Sequence, residues 1–439
     1  MKKSTLIVVI VALALAAFVY FYDSKHTPKT TASEDTSKPA FSVKSDDISS
    51  VTIHNAAQTV SLSKKGTDWD LTQPVQTRAD QTTVGGLISD LSSLQIQRSF
   101  VPTDNLSKYG LANAGVKIEF RDKKGASHSV DLGDKDFSNS SVYALVDSSK
   151  QVDLLSTSLL DDATKPISQL RDRSMIELNS AEVTGITLDD SNGRVTATKV
   201  KAGWEITNPR QTLADSSTVD ALVSSLSSSK FTDVVSETST DLAKYGLAHP
   251  TVTLYVSAQG GQQFHLLLAK KGASYYGRDE SRPMIFSVDA TTYNSMDKTF
   301  FDLRDKSVIQ FDPTTIQTVT VQNASGTIEC SQGKDDQWSV VQPIADKGKP
   351  VQSWKILDPL QNTRATKIYD TPSASILAHL KKPLIQITLT DKSKKTTTVE
   401  ISAASGDTVY VRTSAAPEVY EVSTQVLKDL GFKISDLLT

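Results

Sequence analysis

The pattern W-x-x-x-x-P occurs three times in this chain: WDLTQP from Trp69 to Pro74, WEITNP from Trp204 to Pro209, and WSVVQP from Trp338 to Pro343. Other markers keep step with it. SVTIHN, GITLDD and TVTVQN precede it, around Val51, Ile186 and Val319. Tyr143, Tyr276 and Tyr410 follow it, in VYALV, YYGRD and VYVRT. LRDRS at 170–174 matches LRDKS at 303–307. Short solenoid repeats recur every 20–50 residues or so, and this period is far longer, so the pattern predicts tandem homologous domains. The predicted units are 41–174, 175–307 and 308–439. At 439 residues the chain is also too long for one compact core.

Each unit reads as α+β and rich in antiparallel strands. It opens with short alternating strands, such as SVTIHN and then TVSLSK. ITLDDSNGRVTATKV carries Asn192-Gly193, a hairpin signal. The W-x-x-x-x-P strand ends at its proline, which has no N–H for a ladder. A helix follows, with Val84, Leu87, Ile88 and Leu91 on one face in the first unit. Val219, Leu222, Val223 and Leu226 repeat that spacing in the second. Asp80 and Asp215 stand where N-caps belong. Four further strands and a short terminal helix complete each unit.

A second shared motif, KYGL, lies between the helix and those four strands. It reads LSKYGLAN at 106–113 and LAKYGLAH at 242–249. A short helix starting near Thr103 or Asp104 would end at Tyr109, placing Gly110 where a left-handed cap residue is needed. Leu111 would then meet Leu106, and Gly246 with Leu247 would repeat the device. The third unit has AHLKKPL at 378–384 instead. Chemistry common to all three units therefore cannot depend on KYGL. The three marker tryptophans read as core anchors. Trp354 has no counterpart in the other units, which makes it the candidate contact residue.

The amino terminus bears on compartment. Lys2 and Lys3 precede an apolar run from Leu6 to Tyr22, which with Ser4 and Thr5 is just long enough for a bilayer core. The flanking lysines favour an inside amino terminus. Phe18, Tyr20, Phe21 and Tyr22 close the run, and aromatics there suit a membrane interface better than a peptidase site. Residues 1–22 are thus expected to form an uncleaved, single-pass anchor, with a cleaved signal as the alternative. DSKHTPKTTASEDTSKPA at 23–40 has the composition of a disordered linker. The bulk of the chain is then expected on the far side of that membrane.

No catalytic, cofactor-binding or metal-ligating motif emerges. The six histidines form no HExxH or H-x-x-x-H pair. G-x-S-x-G, GxxxxGK[ST] and G-x-G-x-x-G are missing from the sequence. Cys330 is the only cysteine and reads as an apolar strand residue. A net charge of −3 gives no footprint for nucleic acid.

The W-x-x-x-x-P strand, its helix and KYGL-A-x-P together resemble a bacterial family called domain of unknown function 4340. KYGLAHP at 244–250 is the fullest copy, while the first has Ala114 for the proline and the third keeps Pro383. The resemblance implies one amino-terminal membrane helix and a repeated extracytoplasmic domain. It also implies an accessory role beside an ABC-type permease or its auxiliary protein, with no activity, cofactor or catalytic residue. A non-enzymatic envelope binding protein is therefore the expectation. A carbohydrate or cell-wall binding protein is the alternative, and an envelope hydrolase with an unrecognised site the third reading.

Overall fold

The computed structural model describes residues 37–439. The expected anchor at 1–22 and most of the expected linker at 23–40 lie outside the described residues. Among the described residues, no helix is long and apolar enough to cross a membrane. At the linker's end, Lys38–Pro39 pairs antiparallel with Gln95–Ile96.

The architecture is α+β, built on three large antiparallel sheets. The first has nine strands. Four of them, Ile48–Asn55, Thr59–Lys65, Asp68–Gln73 and Thr77–Arg78, form a meander running outward from the centre. The helix Gln81–Ser92 then carries the chain to the far edge, where Arg98–Phe100 lies. After KYGL the chain returns to the centre. Val116–Asp122 pairs with Ile48–Asn55, and Ser127–Lys135, Ser141–Val146 and Val152–Ser156 run out to meet Arg98–Phe100. The second sheet repeats this strand order with nine strands, and the third has eight, lacking the two-residue strand before its helix.

Alternation explains which face is buried. Val51, Ile53, Ile118, Phe120, Val130, Leu132, Val142 and Ala144 point to one side, and the helix residues Val84, Leu87, Ile88 and Leu91 cover them. Asp80 caps this helix by accepting from Thr83 N–H at 2.9 Å, and Asp215 caps its counterpart Ser216–Ser228 from Thr218 N–H at 3.1 Å. The second helix buries Val219, Leu222, Val223 and Leu226. The third, Trp354–Asn362, buries Ile356, Leu357 and Leu360. One hairpin differs in detail from its sequence reading. Asp190 pairs with Gly193, so Ser191 and Asn192 make the turn, and Gly193 at φ 121° opens the returning strand.

The described residues up to Arg173 form one compact unit, and Ser174–Thr439 form a second that holds two of the sheets. Inside the second unit a charged cluster ties those sheets together. Arg304 Nη1 donates to Asp370 Oδ1 at 2.9 Å, and Arg210 Nη1 reaches the same oxygen at 2.9 Å. Arg210 also pairs with the buried Glu418. Arg304 is held from behind, because its backbone pairs with Ala214 and its guanidinium lies 5.0 Å from the Phe300 ring. The other two sheets use the same backbone pairing, Ala79 with Arg171 and Val351 with Leu438. The third therefore places leucine where the first two place arginine.

Candidate binding site

The repeat markers hold the sheets together. Trp69 and Trp204 are 5% and 2% exposed, inside the first and second cores. The first residue of each following helix clamps the tryptophan's backbone. Trp69 N–H donates to Gln81 Oε1 at 2.8 Å and Gln81 Nε2 donates to Trp69 O at 2.9 Å, while Trp204 N–H donates to Ser216 Oγ at 3.0 Å. Trp338 differs: it is half-buried and packs at the border of the third core. Pro74, Pro209 and Pro343 each follow a cis peptide bond, a shared feature that the sequence reading did not foresee.

KYGL forms a capped turn on the opposite face of the sheet. The first is a 3-10 turn over Leu106–Tyr109, shorter than the helix read from sequence, because Asn105 caps it from Ser107 N–H at 3.1 Å. Gly110 follows at φ 69° and Gly246 at φ 78°. Leu111 N–H donates to Leu106 O at 3.0 Å, and Leu247 N–H donates to Leu242 O at 2.9 Å. These are the six-to-one bonds of a Schellman cap. Each turn sets its tyrosine on the strand tyrosine beneath it. Ring centroids lie 5.0 Å apart for Tyr109 and Tyr143, and 5.3 Å apart for Tyr245 and Tyr276. The third sheet lacks KYGL but keeps the contact, with His379 stacked on Tyr410 at 4.8 Å.

Trp354 has a different setting. It is 57% exposed at the start of its helix. Together with Lys355, Asp358, Pro359 and Asn362 it lines an open cleft of about 400 Å³. The opposite wall comes from the chain's last turns, through Asp429, Phe432, Asp436 and Leu437. Matching the helices by their buried residues places Trp354-Lys355 where the first has Gly85-Gly86 and the second Asp220-Ala221. In the second sheet that position has a structural task, since Asp220 Oδ1 accepts from Trp204 Nε1 at 2.8 Å. In the third it carries an exposed indole instead. The sequence reading singled out Trp354 but missed its neighbours. The i, i+4, i+8 spacing of Trp354, Asp358 and Asn362 was readable as one helix face, whereas the facing residues come from a distant segment.

Three of the histidines have polar partners nearby. His54 bonds Thr59 at 3.0 Å, His128 faces Asp147 at 3.2 Å, and His265 faces Glu280 at 3.2 Å. Cys330 is buried, and burial with Glu329 nearby pushes its thiol up to about 11. Among the described residues, no three of His, Cys, Asp and Glu come together in a group able to hold a metal ion.

A family model described as "Domain of unknown function (DUF4340)" matches residues 69–205 and 204–383. The chain belongs to this family. The matched segments start at Trp69 and Trp204; the first ends just past Trp204, and the second runs on beyond Trp338 to 383. They are thus out of phase with the sheets, each of which has its marker strand part-way along. Trp338 and Trp354 both fall within the second DUF4340 segment. No curated protein and no solved structure matches the chain.

Proposed function

We propose that the chain is a non-enzymatic, membrane-anchored accessory protein of the bacterial envelope. In this reading it binds a component of an ABC-type transport system, and its bulk lies outside the cytoplasm. The observation that carries the reading is Trp354. It is the one marker-free tryptophan, it stands more than half exposed, and it borders a cleft between its helix and the chain's last turns, beside the sheet that departs most from the other two. Tryptophan is enriched among the interface residues that dominate binding. Support for the compartment comes from Lys2, Lys3 and the apolar run Leu6–Tyr22.

Co-purification from native membranes in mild detergent tests this, beside a control lacking residues 1–22. The expected result is recovery of an ABC-type permease or its auxiliary protein with the anchored form. Recovery of nothing specific by either form would overturn the reading. The exposed indole also suits a sugar face, and glycan binding by residues 41–439 with no protein partner would favour the cell-wall alternative.

A further inference from the structure

The cleft beside Trp354 has an unbalanced charge. Three carboxylates line it, Asp358, Asp429 and Asp436, against the single cation of Lys355. That lysine is already engaged, since its Nζ donates to the backbone carbonyl of Asp436. Asp436 accepts Lys433 N–H at 2.8 Å, and Asp429 accepts Gln425 Nε2 at 2.8 Å. Asp358 has neither a hydrogen bond nor an ion pair within the described residues, and the same holds for the Trp354 indole N–H. A concave surface lined by one sign of charge concentrates its field on a ligand of opposite sign. The floor is apolar, from Pro359, Phe432 and Leu437.

Resting on the binding-protein reading above, we propose that this cleft receives an arginine-bearing segment of a partner polypeptide. A guanidinium is planar, stacks on an indole face and pairs with a carboxylate through its fork of donors. Its methylene stem suits an apolar floor. The open cleft of about 400 Å³ has room for one or two side chains. A neutral sugar would use the indole but leave the excess carboxylates uncompensated. The first and second sheets lack the indole at this position, where Gly85 and Asp220 stand instead.

Calorimetric titration of the full chain in detergent with N-acetyl tri-arginine amide tests the proposal. The tri-citrulline peptide serves as the neutral isostere and an N-acetylglucosamine trimer as the glycan probe. Saturable binding of tri-arginine alone is expected, at least about tenfold weaker for both Trp354→Ala and Asp358→Asn. Both side chains are solvent-facing, and an unchanged melting curve shows that each variant is folded. Equal binding by wild type and variants would mean polycation binding elsewhere and would overturn the proposal, as would binding of the glycan alone or of neither probe. The two readings fail separately. A transport partner that still co-purifies with Trp354→Ala refutes the cleft but leaves the accessory function standing. A partner absent even from the wild type refutes the function.

Discussion

The backbone nitrogen of Asp134 stands 2.6 Å from the point where a Cβ on Gly110 would sit. The capped turn therefore rests directly on the neighbouring strand, and Gly133 shows the reverse side of the contact, with Tyr109 O only 2.1 Å from its own missing Cβ. Gly246 has the same left-handed backbone but more room, since its nearest atom is Ala269 Cβ at 3.3 Å. A side chain at either site meets the left-handed penalty, of about 1 kcal/mol, and only the first also meets fixed backbone. Gly110→Ala should cost about 3 kcal/mol against about 1 for Gly246→Ala. Urea titrations of the two variants check this, and equal losses would contradict it.

The Arg304–Asp370 contact makes a second test. Arg304 is 5% exposed and Asp370 about one-third exposed, so removing the carboxylate strands a buried cation while water screens part of the loss. Asp370→Ala should destabilise the second compact unit by about 2 kcal/mol. A double-mutant cycle with Arg304→Ala should show a coupling of at least about 1 kcal/mol, and additive losses would show that the pair contributes nothing.

Gly85 and Gly86 stand exposed inside the first helix, and a Cβ at either would meet nothing within 4 Å. Neither has a positive φ. Alanine at each position should therefore stabilise the chain, by roughly 0.5–1 kcal/mol per site, through the better helix propensity alone. Chemical denaturation of the two single variants is the check.

Alkaline pH should weaken the third sheet through Tyr369. Its hydroxyl donates to Glu421 Oε2 at 2.7 Å, and that bond holds the phenol up at about 12, against an ordinary 10.0. A phenol that keeps its proton longer when folded contributes its full stability below pH 10.0 and loses it as the pH rises towards 12. Tyr369→Phe should flatten the decline of stability across that window. A decline of unchanged steepness would show that the bond has no such role.

Local signals carried most of the fold. The apolar spacing of Val84, Leu87, Ile88 and Leu91 predicts a helix face, and all four are buried. Asp80 and Asp215 are short acceptors placed before those helices, and both cap them. KYGL was legible because glycine is the residue that adopts a left-handed cap without strain. What the sequence withheld are contacts between distant segments. His379 occupies the place of Tyr109 and Tyr245 over the strand tyrosine, yet shares no motif with them. Trp338 shares the tryptophan motif and is only half-buried, and among the described residues it lacks the indole hydrogen bond that Asp220 gives Trp204 in the second sheet. The cleft itself joins the 354–362 helix to residues near 430, a pairing that no local periodicity encodes.

Crosslinking in intact membranes tests the binding role of Trp354 most directly. A photoreactive phenylalanine analogue would replace Trp354 in the full chain, with the same group at Phe137, 97% exposed in the turn between Ser127–Lys135 and Ser141–Val146, as the control. The expected result is a discrete adduct at position 354 that contains an ABC-type permease or its auxiliary protein, with none at position 137. No adduct at 354, or the same adducts at both positions, would contradict it.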